Sequence, residues 1–191
     1  MARASKAQAA EHHQEIIAAA ARLFREQGLS GTTVPEVMQA ANLTHGGFYG
    51  HFASKNALAA AACTDAFAQV RELIDMATAH HPKAPAAAFE ALAATYLSAD
   101  HRDHPGTGCA AAALVGDIAR EPEDSLVRSA YSDSIERIIE RLAQPDIGTQ
   151  DRATAIAAYS TLIGTLLLSR ATAGTPLSEE ILAAGRSHLP R

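Results

Sequence analysis

Apolar residues in this chain recur at helical spacing from near its start. Ile16, Ile17, Ala20, Leu23 and Phe24 fall at i, i+1, i+4, i+7 and i+8, one apolar stripe on a helix from about Gln8 to Gln27, with Gly28 as its stop. In "SGTTVPEVMQAANL", Thr33 and Glu36 have the spacing of a capping box and Pro35 suits a first turn. Val34, Val37, Met38 and Ala41 then keep helical spacing, so a short second helix is expected over about 34–41, ended by Asn42 in the left-handed region. Thr44 is placed to cap a third helix of about 45–51, and Ser54 a long fourth one of about 55–79 that Pro82 closes. Further helices are predicted near 85–99, 108–120, 123–142, 151–172 and 178–187, separated by HPKAP, HRDHPGTG, Pro122, QPDIG and AGTP. No period-2 pattern persists and no internal repeat is visible, so the expected fold is all-α.

The stretch "LTHGGFYGHFASK", residues 43–55, breaks the pattern with three glycines. Each costs a helix interior roughly 1 kcal/mol relative to alanine. On a helical wheel centred on Phe48, Phe52 falls on the same side and Gly46 and Gly50 on the opposite one. Burial of the two Phe rings, roughly 2 kcal/mol each, can offset the lost propensity. The outward face is nearly bare backbone, which suits close approach to a groove or a phosphate. Glycines that merely loosen a turn are the alternative. Helices two and three, joined by a tight turn, read as a helix-turn-helix whose second member enters the major groove.

Composition narrows the class. The chain has 191 residues, is 48% hydrophobic and rich in alanine, and has no tryptophan, which favours helices around one core or two. There is no charge-free apolar run long enough for a membrane span, and the first residues lack a signal-peptide core, so a cytoplasmic protein without membrane partners is expected. Cys63 and Cys109 are far apart, without metal-motif spacing. The net charge of −5 looks wrong for a nucleic-acid binder, but residues 1–60 carry +1 and residues 61–191 carry −6. A local phosphate-binding face remains compatible with that distribution. Arg3 and Lys6 could form a basic arm or a solvated terminus.

Residues 11–60, "EHHQEIIAAAARLFREQGLSGTTVPEVMQAANLTHGGFYGHFASKNALAA", resemble the TetR family of transcriptional regulators. The carrying positions are Ala20, Leu23, Phe24, Gly28, Thr32, Thr33, Val37, Ala40, Ala41, Thr44, Gly47, Tyr49, His51, Phe52, Lys55 and Leu58. The resemblance implies an all-α homodimer with a DNA-binding domain over 1–54 and an effector-binding and dimerisation domain over 55–191. It implies a repressor, not an enzyme, released from a palindromic operator on double-stranded DNA by a small-molecule effector. No cofactor or metal is implied. Thr44 and His45 become candidates for base-edge contact, Gly46 and Gly47 for close backbone approach, and Tyr49, His51, Lys55 and Thr33 for phosphate contact. His51 could instead be structural. Many relatives carry a basic or bulky residue where Gly50 stands, so shape and phosphate contacts are expected to carry much of the affinity.

The later helices supply an expected effector cavity among Phe67, Phe89, Leu92, Tyr96, Cys109, Leu114, Tyr131 and Ile135, with ordinary core packing as the alternative. "HRDHPGTGCAAAALVGDIAR" resembles a segment of one subset of the family in which proline often follows Gly-Cys; Ala110 stands here, so no ligand identity is carried over. Cys109 opens a predicted helix, and "DHRDH" at 100–104 reads as a polar loop. A redox- or metal-responsive regulator sensing through Cys109 or His101/His104 is the alternative reading. "RATAIAAYSTLIGTLLLSRA" is apolar around most of its circumference, so Ile156, Tyr159, Ile163, Leu166, Leu167 and Arg170 are expected at a dimer interface, or else in the protomer's own core.

Overall fold

The computed structural model describes residues 6–149 and 151–189, and every regular element among them is helical. In order these are α1 (Lys6–Gly31), α2 (Val34–Ala40), a 3-10 turn (His45–Gly50), α3 (Lys55–His80), α4 (Pro85–Tyr96), α5 (Ala99–Asp103), a second 3-10 turn (Pro105–Thr107), α6 (Ala110–Ile118), α7 (Leu126–Leu142), α8 (Arg152–Ala171) and α9 (Pro176–Ser187). Arg3 lies outside the described residues, and Lys6 opens α1.

The apolar stripe of α1 is buried as its spacing predicts. Gly28 breaks the first helical stretch as its position predicts, with φ 78° and ψ 169°, and a further short helical stretch follows to Gly31. That φ paired with ψ 169° is a glycine conformation, and a Cβ there would come within 2.7 Å of Asp117 Oδ2 on α6. The kink is closed internally by buried Thr32, whose hydroxyl donates to the carbonyls of Leu23 (3.3 Å) and Gly28 (3.0 Å). The α2 capping box forms: the Thr33 amide donates to Glu36 Oε2 at 2.7 Å and the Glu36 amide to Thr33 Oγ1 at 3.4 Å. Asn42 takes the expected left-handed conformation, φ 56°.

The third helix is a 3-10 turn rather than an α-helix. It is six residues long, half of them glycine, and Thr44 makes no side-chain cap. A nucleus that short and poorly capped does not sustain α-helical geometry. The tighter pattern still closes, with the Gly47 amide on the Thr44 carbonyl (3.0 Å) and the His51 amide on the Phe48 carbonyl (2.9 Å). The helix expected near 85–99 ends at Tyr96. Ser98 then accepts from the His101 amide at 3.1 Å and starts α5. The DHRDH stretch is therefore a one-turn helix, not a loop.

One apolar core runs from Ile16 on α1 to Leu182 on α9. The long α3 lies along α7, and α8 pairs with α9, where Gly185 passes so close to Thr165 that a Cβ would collide with it. α1 packs on α3, α6 and the second 3-10 turn at once. It is thus continuous with both the N-terminal helix-turn-helix and the C-terminal helical core.

Candidate DNA-reading turn and effector cavity

The first 3-10 turn is anchored on one side and bare on the other. Phe48 is 1% exposed and stacks on Phe52 at 5.9 Å, while Thr44, His45, Gly46, Gly47, Tyr49 and Gly50 are all exposed. Tyr49 reaches 73% exposure with its ring edge-on to Phe48. A Cβ at Gly46 or Gly50 would meet nothing within 4 Å, and neither glycine has positive φ. Nothing among the described residues therefore requires glycine at those two positions. At Gly47 a Cβ would make only ordinary contact, 3.7 Å from Met38 Cε.

Three expected DNA contacts have partners within the chain. Thr33 is exposed, but its hydroxyl donates to Glu36 Oε2 at 2.7 Å, and these bonds hold the Glu36 carboxyl below its usual range. His51 is half-buried among His12 and His13. The Lys55 ammonium does not project outward: it donates to the Leu29 carbonyl at 2.5 Å. The Leu29 amide in turn donates to Asp117 Oδ2 at 2.8 Å, so the segment after the Gly28 kink is gripped from α3 and α6 together.

A partly open cavity of about 260 Å³ lies in the C-terminal region, between α3, the end of α4, α5 and the second 3-10 turn. Its apolar wall is Val70, Leu73 and Met76, and its polar wall includes Gln69, Tyr96, Ser98, His101 and Cys109. Only Tyr96 and Cys109 of the expected lining residues are there. Leu92 and Leu114 are core, and Ile135 packs against that core. Tyr131 lies edge-on to Phe67 at 5.5 Å and donates to the Ala111 carbonyl at 2.9 Å. Phe67 and Phe89 each edge a different surface depression. The α3 lining residues, Gln69, Val70, Leu73 and Met76, fall at i, i+1, i+4 and i+7, one face of α3 that helical spacing identifies.

Cys109 is 1% exposed and does not enter α6: it occupies the position before Ala110, with its side chain making no cap. Its thiol lies 3.7 Å from the Tyr159 hydroxyl, and the Tyr96 hydroxyl is buried with no hydrogen-bond partner among the described residues. Burial, and then the neighbouring Cys109, push both phenols well above their usual range. Burial also pushes the Cys63 thiol up, to about 12. His101 uses both ring nitrogens: Nδ1–H donates to the Tyr96 carbonyl at 2.6 Å and Nε2 accepts from the Cys109 amide at 2.9 Å. That fixes a neutral tautomer, consistent with a pKa lowered chiefly by burial. His104 is exposed beside Asp100, and no cluster fit to hold a metal ion occurs among the described residues.

Arg25 joins the two regions. From α1 its Nη1 donates to Gln69 Oε1 at 3.0 Å and to the Gly108 carbonyl at 3.2 Å, both on the cavity wall. The guanidinium is buried, which lowers its pKa, and its Nε has no partner.

On α8, Tyr159 and Leu166 face the protomer's own core, and Arg170 turns inward to the carbonyls of His101 (2.8 Å) and Arg102 (3.1 Å). They are not on an outer face. Ile156 is 41% exposed, Ile163 and Leu167 are half-buried, and Leu168 and Leu177 add exposed apolar area at 58% and 51%. An inward face and an outward face are both apolar, so periodicity alone did not separate them.

A capped short helix followed by a bare-faced turn has the arrangement of a helix-turn-helix. Residues 16–62 match the family model described as bacterial regulatory proteins, tetR family. Over 73 residues the chain is 40% identical to the HTH-type transcriptional regulator AcrR of Shigella flexneri, a match covering 38% of this chain and 30% of that protein. Over 58 residues it is 41% identical to the probable acrEF/envCD operon repressor of Escherichia coli K12, covering 30% of this chain and 26% of that one. Among solved structures, a TetR transcriptional regulator from Chloroflexus aurantiacus superposes with a TM-score of 0.76 at 24% identity, over 96% of this chain and 94% of that one. E. coli NemR in its reduced form superposes with a TM-score of 0.74 at 19% identity, over 93% and 96%. These two show the shared fold. The N-terminal segment therefore resembles that of TetR-family transcriptional regulators, and the match spans less than a third of the length of the curated relatives.

Proposed function

We propose that the chain is a homodimeric repressor that reads a near-palindromic operator with the His45–Gly50 turn and is released by a small effector in the α3–α5 cavity. Residues 1–54 are the reading head and 55–191 the effector and dimer domain. The observation that carries this reading is Arg25: one buried side chain of the reading head grips two walls of the cavity. A ligand that displaces Gln69 or the Gly108 carbonyl shifts α1, and with it the spacing of the two heads. Asp117 and Lys55 on Leu29 form a second tie, so coupling runs through α1 and α6 as well as α3. The outward residues Ile156, Ile163 and Leu167, with Leu168 and Leu177, are the surface offered to the second copy. No helix among the described residues is long and apolar enough to cross a membrane, which fits a reader of cytoplasmic operator DNA. A metal signal is not favoured, because His101 has no free nitrogen, and a thiol signal is not favoured by the burial of Cys109.

Selection of bound duplexes from a random pool tests the reading head. Wild type should enrich an inverted repeat, and Tyr49→Ala should lose the enrichment while its melting temperature stays unchanged, since that ring is exposed. A pool that emerges unenriched with wild type would sink the proposal.

Arg25→Met tests the tie. It leaves the Gly108 carbonyl and Gln69 amide oxygen without their donor, at a cost of about 1–3 kcal/mol. Amide exchange over residues 105–110 should quicken together with that of α1. Unchanged protection of both segments would show that Arg25 does not couple them.

A further inference from the structure

Three imidazoles meet where the first turns of α1 pass the end of the recognition turn. The His51 ring lies 6.0 Å from that of His13 and 6.5 Å from that of His12. His13 is stacked on Phe52, 4.5 Å away with the planes 14° apart, so the cluster is held by the same ring that anchors the turn. All three side chains are half-buried, restrained yet reachable from solvent.

The cluster lacks a compensating charge of its own. The groups whose charges act on His51 are His13 and His12, and burial followed by these two holds His51 below its ordinary range. Glu15 faces the end of α2, beside Arg22 and Ala40–Asn42. Glu36 is engaged by Thr33, Lys55 by the Leu29 carbonyl, Tyr49 is a neutral phenol, and Glu11 is exposed on α1. His51, so placed, resists protonation until an external anion arrives. Neutral, each still offers one N–H; protonated, each offers two donors and a charge.

We propose that His12, His13 and His51 form a phosphate-contacting patch of the reading head that takes up protons as a DNA backbone phosphate docks on it. The proposal rests on the reading of this head as a DNA binder and adds two α1 residues to its surface. It also explains how a head with few outward cations holds a polyanion: part of its positive charge is acquired on contact. The sign follows from linkage. Docking raises the imidazole pKa, so affinity rises as pH falls and the gain is lost as pH climbs through the raised value. A rise of one unit on a single ring corresponds to tenfold tighter binding. The patch meets backbone only and carries no sequence preference.

The test uses the full chain and a fluorescent random-sequence duplex at low, constant ionic strength, because the phosphate component is independent of sequence. Wild type should tighten about tenfold between about pH 8 and about pH 6. His12→Gln combined with His51→Gln should flatten that dependence, with His13 kept because it packs on Phe52. His12→Arg, a permanent cation, should bind at about pH 8 nearly as tightly as wild type does at about pH 6. His80→Gln, which alters an exposed histidine in the last turn of α3 away from the reading head, should keep the wild-type slope. A wild type that binds without tightening overturns the patch and leaves the DNA reading intact. An unchanged slope in the double variant with native circular dichroism overturns it too, as does binding abolished by a chelator, which would assign the imidazoles to a metal. Absence of any duplex binding at low salt would overturn the DNA reading and the patch together.

Discussion

Gly50→Glu is expected to leave the fold intact and to abolish operator binding. A side chain at Gly50 meets nothing within 4 Å, and the backbone there is not left-handed, so glutamate enters without strain. Exposed substitutions of that kind move stability by about 0.5 kcal/mol or less. The same carboxylate would stand on the bare face of the turn, against the phosphates. Like-charge juxtaposition in an interface costs several kcal/mol, so affinity should fall by about a hundredfold or more. Thermal melting and anisotropy on one preparation measure both quantities. Gly50→Ala supplies the graded comparison: no loss of melting temperature, and an intermediate loss of affinity if the groove approaches as closely as the bare face allows. Retention of full affinity by the glutamate variant would move the reading surface elsewhere.

What sequence alone revealed follows a physical division. The apolar stripe of α1, the Thr33–Glu36 box, the left-handed Asn42 and the two-faced turn depend on residues within a few positions of one another, and local pattern identified them. What it missed depends on groups far apart in the chain. The amine of Lys55 is captured by a carbonyl 26 positions earlier, and the Leu29 amide just after the Gly28 break is accepted by an aspartate 88 residues away. The lining of the α3–α5 cavity was hard to read for a related reason. In alanine-rich helices several faces are apolar, so Leu92 and Leu114 looked no different from Val70 and Leu73 until the partners were known. The same ambiguity left Tyr159, Leu166 and Arg170 open between an outer face and the protomer's core, and the structure turns them inward. The third helix failed on length: its faces were right, and its hydrogen-bond pattern was not.

Phe48→Ala is the complementary change, destabilising where Gly50→Glu is silent. Phe48 is 1% exposed, stacks on Phe52, and its carbonyl accepts from the amides of His51 (2.9 Å) and Phe52 (3.0 Å). Removing a buried phenyl costs about 3–5 kcal/mol through lost transfer energy and the cavity left behind. The turn has no side-chain cap at Thr44 and little helix propensity to hold it without that anchor. Against a total stability of about 5–15 kcal/mol, the loss should lower the melting temperature by roughly 10 °C and speed amide exchange first between Thr44 and Phe52. DNA binding should disappear with the turn. Phe48→Leu, which keeps most of the volume, should restore both, and it separates loss of the anchor from any direct contact of the ring with DNA. An alanine variant melting within a degree of wild type would mean that the bare face is held by something other than the ring behind it. The two substitutions lie two residues apart in the chain and act on opposite sides of one turn. Opposite effects on stability, with the same effect on DNA binding, are what a surface anchored from behind and stripped in front requires.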